Sequence, residues 1–145
     1  MKVIIQRVNS ASVKVDNEII GKCAQGLLLL VGYGVNSNVE SNKILAKKII
    51  NLRIFSDEQG RFDKSILDIN GSLLIVPQFT LYADTSKGRR PDFFGALKPK
   101  LANDYFNDFL KEINKFNIKY ESGKFGADMK VSLENDGPVT IILED

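Results

Sequence analysis

Residues 73–84, with the sequence LLIVPQFTLYAD, carry the clearest structural and functional signal in the chain. The first four residues form an unbroken apolar run, which predicts a strand buried on both faces. Pro77 cannot donate a hydrogen bond to a neighbouring strand, so a central strand should break or open there. If the chain stays extended, Gln78 and Thr80 point to one face and Phe79 to the other. Polar side chains beside such a break predict a binding site; the alternative is an edge strand with solvated polar residues.

The composition is that of an ordinary globular protein. Its 145 residues suffice for a substantial core, so we expect a single domain over residues 1–145. No apolar segment approaches the roughly 18 residues needed to span a membrane. Gln6 and Arg7 interrupt the N-terminal apolar run, which is atypical of a signal peptide and predicts a cytoplasmic location. The net charge of +2 is too weak on its own to indicate nucleic-acid binding.

The chain contains no histidine, and this absence excludes whole classes of chemistry. Ser-His and Cys-His catalytic pairs are impossible, and the commonest metal ligand is missing. The single cysteine, Cys23, has apolar neighbours, which favours a buried inert thiol over a nucleophile. Catalysis would therefore need carboxylates, lysine, tyrosine, backbone amides or groups supplied by the substrate.

The remaining pattern predicts a mixed α/β fold, with a largely antiparallel, barrel-like sheet and two main helices packed on it. Apolar side chains at helical spacing predict the helices at residues 37–52 and 101–116. Asp16-Asn17 predicts a hairpin turn. Besides the strand that begins at residue 73, strands are expected at residues 2–8, 12–15, 18–21, 27–33, 53–55, 129–133 and 139–143.

Three polar features permit more than one interpretation. Lys87, Arg89 and Arg90 form a basic loop just after the proposed site, which predicts either a solvated surface or a clamp for phosphate groups. Residues 135–138, with the sequence NDGP, predict a hairpin turn whose Gly-Pro bond is compatible with either isomer. Arg7 lies in an apolar strand, where an arginine usually extends its charged end to solvent.

Segments along the whole chain resemble the D-aminoacyl-tRNA deacylases. Residues 78–81 (QFTL) and 135–140 (NDGPVT) resemble the two signature motifs of that family. Further agreement, in the family's order and spacing, lies at residues 7–8, 26–28, 48–55, 87–91 and 123–129. One difference stands out, because Pro77 stands where the family usually has serine. This removes any contact made by a serine side chain or by the N–H at that position, but it leaves Gln78 to Thr80 unchanged.

The resemblance implies a homodimeric hydrolase that needs no metal or cofactor. The family cleaves the ester that joins a D-amino acid to the terminal adenosine of tRNA. It also cleaves the ester of glycine mischarged on tRNA(Ala). Its motifs imply that Gln78, Phe79 and Thr80 lie at the ester. They also imply that Gly137 and Pro138, joined by a cis bond, enter the pocket of the partner subunit.

Supporting roles follow from the same resemblance. Arg7 is implied to support the Gly-Pro pair. Ala102, Phe125 and Met129 are implied to line the adenosine side of the pocket. The basic loop would then contact phosphates of the tRNA.

The chemistry is compatible with a chain that lacks histidine. The substrate carries a 2′-hydroxyl beside its own scissile ester, and that hydroxyl can donate and accept hydrogen bonds. Backbone N–H groups around Phe79 and Thr80 are suitable donors to an oxyanion. The alternative is Thr80 as a covalent nucleophile, which needs a nearby base that the sequence does not reveal.

Chiral selection needs a rigid obstacle at the position of an L side chain. The carbonyl groups of Gly137 and Pro138 fit that requirement, and glycine, which has no side chain, should pass. Two other classes compete with this interpretation. A small RNA-binding domain would share the basic loop but would not explain a buried QFTL segment together with the Gly-Pro pair. A metal-dependent esterase is disfavoured by the lack of histidine and of clustered carboxylates.

Overall fold

A six-stranded mixed sheet and two α-helices form the fold in the computed structural model, which describes residues 1–145. A two-stranded sheet and one turn of 3-10 helix complete it. In chain order the elements are β1 (Lys2–Val15), β2 (Glu18–Cys23), β3 (Gly26–Gly32), α1 (Glu40–Ile50), β4 (Phe55–Ser56), β5 (Phe62–Lys64), β6 (Ser72–Pro77), the 3-10 helix (Phe79–Tyr82), α2 (Pro99–Asn114), β7 (Lys119–Ser122) and β8 (Lys130–Glu144).

The main sheet has the order β2-β1-β3-β6-β7, and β8 pairs with β1. Strands β2, β3 and β8 are antiparallel to β1, whereas β6 is parallel to β3 and β7 is parallel to β6. The N–H of Lys22 donates to the Glu121 carboxylate at 2.8 Å, and this bond joins β2 to β7 at the two ends of the sheet. The sheet therefore nearly closes, which confirms the predicted barrel-like α/β fold.

Strand β6 lies at the centre of the molecule, as its apolar run predicts. Leu73 and Ile75 point into the larger core between the sheet and the two helices. Leu74 and Val76 point to the opposite face, into a smaller core enclosed by the curved sheet. All four are at most 1% exposed, and full burial of each such side chain contributes about 1.5–3 kcal/mol. This strand therefore holds its own C-terminal end, where the polar motif begins, in a fixed place.

Local signals predicted most of the other elements well. Asp16 and Asn17 have φ values of 50° and 66°, as the predicted hairpin turn between β1 and β2 requires. Both helices are confirmed, although α1 begins and ends inside the predicted 37–52, and α2 lies two residues earlier than predicted. None of the helices has the length and apolarity needed to cross a membrane.

The C-terminal segment differs from the prediction of two strands joined by a hairpin turn at residues 135–138. Residues 130–144 form one strand, β8, and both of its halves pair antiparallel with β1. Gln6 pairs with Thr140 and Val8 pairs with Asn135, so four residues of β8 stand opposite Arg7 alone. The NDGP segment therefore forms a large bulge rather than a hairpin, because the same partner strand continues on both sides of it.

Candidate active site

The first signature motif follows the end of β6. The N–H of Gln78 donates to the Val31 carbonyl at 2.7 Å. β3 ends one residue after Val31, so no strand remains for further pairing, and the chain turns into the 3-10 helix. The predicted extended alternation of Gln78, Phe79 and Thr80 is therefore wrong, whereas the predicted break at Pro77 is confirmed.

The turn brings the motif to the surface. Phe79 is 55% exposed and Thr80 is exposed, so the expectation of a buried QFTL segment is wrong for a single chain. The close approach of the turn to β3 depends on Gly32. A Cβ atom at that position would lie 2.6 Å from the carbonyl oxygen of Gln78, which is well inside van der Waals contact. The motif is thus exposed but held against the end of the sheet.

Unused backbone donors are the main chemical feature of this turn. Neither the N–H of Phe79 nor that of Thr80 donates a hydrogen bond within the chain. They are among the first N–H groups of the 3-10 helix, which have no partner inside it. The hydroxyl of Thr80 accepts a hydrogen bond from the Gln78 side-chain amide, and an amide is not a base. The turn therefore offers two hydrogen-bond donors to a developing anion and no evident general base for Thr80.

An apolar cavity of about 490 Å³ opens beside the motif. Phe79 and Phe93 meet edge to face on one side of it, with their ring centroids 5.0 Å apart. The first turn of α2 contributes the buried Ala102, and Phe125 packs against Phe106 of the same helix. The exposed Lys98 also lines the cavity, and the largely exposed Phe94 stands at its mouth. The apolar lining side chains used below are Phe79, Phe93, Phe94, Leu97, Ala102 and Phe125.

The structure brings together three of the residues predicted for this pocket, Phe79, Ala102 and Phe125. Gln78 and Thr80 are not among the lining residues and lie in the adjoining turn. Met129 does not line the cavity either. It packs against the smaller core, and its sulfur lies beside Gly123. The cavity has the size and the aromatic lining that suit a flat nucleobase.

The basic loop projects from the same end of the molecule. Its base is closed by two backbone hydrogen bonds of 2.9 Å between Asp84 and Asp92. Lys87, Arg89 and Arg90 are all exposed. The N–H of residue 86 donates to the Asp84 carboxylate at 2.8 Å and lowers the pKa of that group. The loop thus presents three free cations to solvent a few residues before Phe93 in the cavity wall.

The second signature motif forms a braced ridge on the bulge of β8. Gly137 and Pro138 are exposed and joined by a cis peptide bond. Beneath them Arg7 is only 7% exposed, so the solvent-directed side chain that is usual for an arginine in an apolar strand is not observed, and Arg7 lies under the pair that the resemblance implied it supports. Its Nη1 donates to the Ile54 carbonyl at 2.6 Å, and its Nε lies 3.1 Å from both the backbone oxygen and a carboxylate oxygen of Asp136.

The ridge lies far from the cavity of its own chain. Arg7, beneath the ridge, pairs with Leu27, and Leu27 pairs with Leu73 of β6. Pro77 lies four residues further along β6, which corresponds to about 13 Å. β8 is also separated from β6 by three strand-to-strand steps, or about 14 Å. The ridge and the cavity of one chain are therefore separated both along the strands and across the sheet.

Comparisons with known proteins identify the family of the chain. The family model for D-Tyr-tRNA(Tyr) deacylase matches residues 4–144. The chain belongs to this deacylase family. It is a hydrolase that acts on ester bonds, as the resemblance predicted.

Individual relatives of this deacylase cover its full length. A protein of Thermosipho africanus (strain TCF52B) named D-aminoacyl-tRNA deacylase is 51% identical over 144 residues, which are 99% of this chain and 97% of that protein. A solved structure titled c-Myc DNA Unwinding Element Binding Protein is 40% identical, with a TM-score of 0.92 and coverage of 100% of this chain and 99% of the other. A probable eukaryotic D-amino acid tRNA deacylase shares the fold, with a TM-score of 0.83 at 17% identity over 98% and 97% of the two chains.

Some residues of the candidate site carried no local signal. Gln6 accepts hydrogen bonds from Asn135 and from Thr140, at 2.6 Å for the threonine hydroxyl, and so fixes both sides of the bulge. Asn135 in turn accepts from the N–H of Val139 at 2.8 Å. Phe93 lies outside the two motifs and yet forms part of the cavity wall. Only the pairing of β1 with β8, which joins distant parts of the sequence, would have identified Gln6.

Proposed function

We propose that this enzyme hydrolyses the ester of D-aminoacyl-tRNA, and of glycine mischarged on tRNA(Ala), as a homodimer. Each active site would combine the cavity of one subunit with the Gly137-Pro138 ridge of the other. One observation carries the proposal: the ridge is exposed, is braced from below by the buried Arg7 and lies far from the cavity of its own chain. A rigid projection that cannot reach its own pocket suits a twofold assembly in which it enters the pocket of the partner.

Substrate binding is assigned from the lining of the cavity. The terminal adenosine would stack among Phe79 and Phe125, with Ala102 leaving room for the base. Met129 would not contact the adenosine and would only support the residues that line the cavity. Lys87, Arg89 and Arg90 would contact phosphates of the acceptor end, since they are exposed at the cavity end of the molecule. Because the substrate is charged tRNA, we expect the enzyme to act in the cytoplasm, where translation takes place.

Catalysis would rely on positioned donors and on the substrate itself. The free N–H groups of Phe79 and Thr80 would stabilise the oxyanion of the tetrahedral intermediate, and Gln78 would orient the turn through its bond to the Thr80 hydroxyl. The 2′-hydroxyl of the adenosine would orient water or shuttle a proton. Covalent catalysis by Thr80 is disfavoured, because its hydroxyl has an amide rather than a base as its partner.

Chiral selection would come from main-chain atoms of the inserted ridge. Carbonyl groups of Gly137 and Pro138 would occupy the position of an L side chain and would accept hydrogen bonds from the substrate ammonium group. A D side chain would point away from this obstacle, so its identity should matter little. Glycine offers nothing to exclude and would be hydrolysed.

A deacylation assay tests the proposal directly. D-Tyr-tRNA, L-Tyr-tRNA and Gly-tRNA(Ala) are incubated with the protein, with and without a chelator. We expect hydrolysis of the first and third substrates, protection of the second and no effect of the chelator. Binding of tRNA without hydrolysis would favour the RNA-binding alternative, and loss of activity with the chelator would favour a metal-dependent esterase.

A further inference from the structure

We propose that Phe94 is a stacking platform for the nucleotide that precedes the terminal adenosine of the bound tRNA. This inference rests on the proposed function and extends its binding site by one nucleotide. Phe94 is 88% exposed, more than any other large apolar side chain of the fold. Burial of a phenylalanine is strongly favourable, so a ring left almost wholly in solvent beside a ligand cavity indicates a contact made on binding.

The backbone that carries this ring is held on both sides. The N–H of Phe94 donates to the Asp92 side chain at 3.2 Å, and Asp92 is itself paired with Asp84. On the other side, the N–H of Ala96 donates to the Phe93 carbonyl at 2.9 Å. The segment is also attached to the residues that follow β3, since the N–H of Val35 donates to the Gly95 carbonyl at 3.0 Å. The exposed ring is thus presented from a turn with fixed geometry, which reduces the entropy lost when a ligand binds.

The position of Phe94 suits a base just outside the cavity. Phe93, its neighbour, packs against Phe79 in the cavity wall, whereas Phe94 lies at the mouth. Arg90 and Arg89 lie four and five residues earlier, respectively, in the exposed basic loop. A single strand whose last base occupies the cavity must pass this mouth, with its phosphates on the side of the cations.

The chemistry of the ring identifies the ligand class. Phe94 makes no aromatic pair within the chain and is 88% exposed, so its ring is almost wholly available to a ligand. It carries no hydrogen-bonding group, so it would bind a base by stacking and without reading its identity. Single-stranded nucleic acid beside a basic surface is bound in this way, and every tRNA ends in the same unpaired nucleotides. A second protein subunit covering Phe94 is the competing explanation, and it predicts a different result.

The test compares three substrates that differ only in length: D-Tyr-adenosine, D-Tyr-cytidylyl-adenosine and D-Tyr-tRNA. We expect Phe94→Ala to lower kcat/KM about tenfold on the two longer substrates, with less than about a twofold effect on D-Tyr-adenosine. Phe94→Trp should retain wild-type values, because it preserves a stacking surface. Phe94→Leu should behave like the alanine variant, because it restores apolar bulk without an aromatic face.

Several outcomes would overturn the inference. Equal losses on all three substrates, or a change in dimer formation measured by light scattering, would show that Phe94 supports the cavity or the interface. Full activity of the Phe94→Leu variant, or of the alanine variant on every substrate, would exclude stacking. If the wild-type protein hydrolyses none of the three substrates, the proposed function is overturned as well. If it hydrolyses them and the Phe94 variants behave like the wild type, only the inference about Phe94 fails.

Discussion

Gly137→Ala places a methyl group at the tip of the ridge, where the backbone leaves little room. Gly137 has a φ of +128°, a region that is essentially restricted to glycine, and occupying it costs another residue about 1–3 kcal/mol. The added Cβ would lie 2.8 Å from Val139 Cγ2 and 3.1 Å from Arg7 Nη2. Val139 can rotate its side chain, but Arg7 is fixed by its bonds to Ile54 and Asp136. We therefore expect the ridge backbone to shift.

The cost to stability should be modest and the cost to activity large. The strain is below the roughly 5–15 kcal/mol that stabilises a typical domain, so the fold should persist. A displacement of about 1 Å at a positioning group lowers the rate about 100-fold, and we expect a loss of that order in single-turnover deacylation of D-Tyr-tRNA. Circular dichroism and thermal unfolding would verify that the variant is folded, and sedimentation would verify that it still assembles.

A matched control is available at Gly60. Gly60 also has a positive φ, +77°, but a Cβ there would meet nothing within 4 Å, and it lies in the surface turn between β4 and β5. Gly60→Ala should therefore carry backbone strain and retain wild-type turnover. Wild-type turnover by a folded Gly137→Ala dimer would refute the role of the ridge, and equal losses in the two variants would attribute the effect to general destabilisation.

Two further predictions concern the site and one concerns the smaller core. Thr80→Ala keeps the backbone N–H and should lower the single-turnover rate less than about tenfold, whereas a substrate ending in 2′-deoxyadenosine should react about 100-fold more slowly or worse. If the variant is inactive and the deoxy substrate is cleaved normally, Thr80 is the nucleophile. Changing Arg89 and Arg90 to alanine should raise KM and flatten its dependence on salt in steady-state assays, and an unchanged salt slope would assign the loop to solvated surface. Burial raises the pKa of the Cys23 thiol to about 11, so the folded protein should resist thiol reagents at pH 8 and should lose stability as the pH rises from the ordinary thiol pKa towards 11. Rapid labelling of the folded protein would contradict this.

Local sequence signals predicted the parts of the fold that depend on local chemistry. The apolar run of β6 predicted burial on two faces, and Pro77 predicted where the strand ends. Asp16-Asn17 predicted its turn because those residue types tolerate positive φ. The resemblance to a family supplied the two motifs and their relation to each other, which no local pattern contains.

The errors all concern contacts between distant parts of the chain. NDGP has the residues of a hairpin turn, yet it forms a bulge because both flanking segments pair with β1. The strand pattern around Arg7 favoured a side chain that reaches solvent, and only the family resemblance implied that it supports the Gly-Pro pair; its guanidinium is bound by the Ile54 carbonyl, 47 residues away, and by Asp136, 129 residues away. The 3-10 helix after Pro77 forms because β3 ends and leaves no strand to pair with, which the sequence of residues 78–82 alone does not reveal.

Assembly of the active site across subunits is the central claim of this account, and it calls for a pair of complementary variants. Phe79→Pro removes one free N–H donor and the aromatic side chain from the cavity of its own subunit. Proline suits the first position of the 3-10 helix, because the N–H of Phe79 has no partner and the preceding Gln78, with φ −144° and ψ 83°, lies outside the α region that a following proline disfavours. Gly137→Ala damages only the ridge, so each homodimer should lose deacylation for a different reason.

The decisive measurement is the activity of a purified heterodimer of these two variants, prepared by coexpression with two different affinity tags. If the ridge acts in trans, the intact cavity of the Gly137→Ala subunit receives the intact ridge of the Phe79→Pro subunit. One of two sites is then complete, and D-Tyr-tRNA deacylation should return to about half the wild-type rate. A heterodimer as inactive as the two parent homodimers would contradict the account, and so would a fully active monomer.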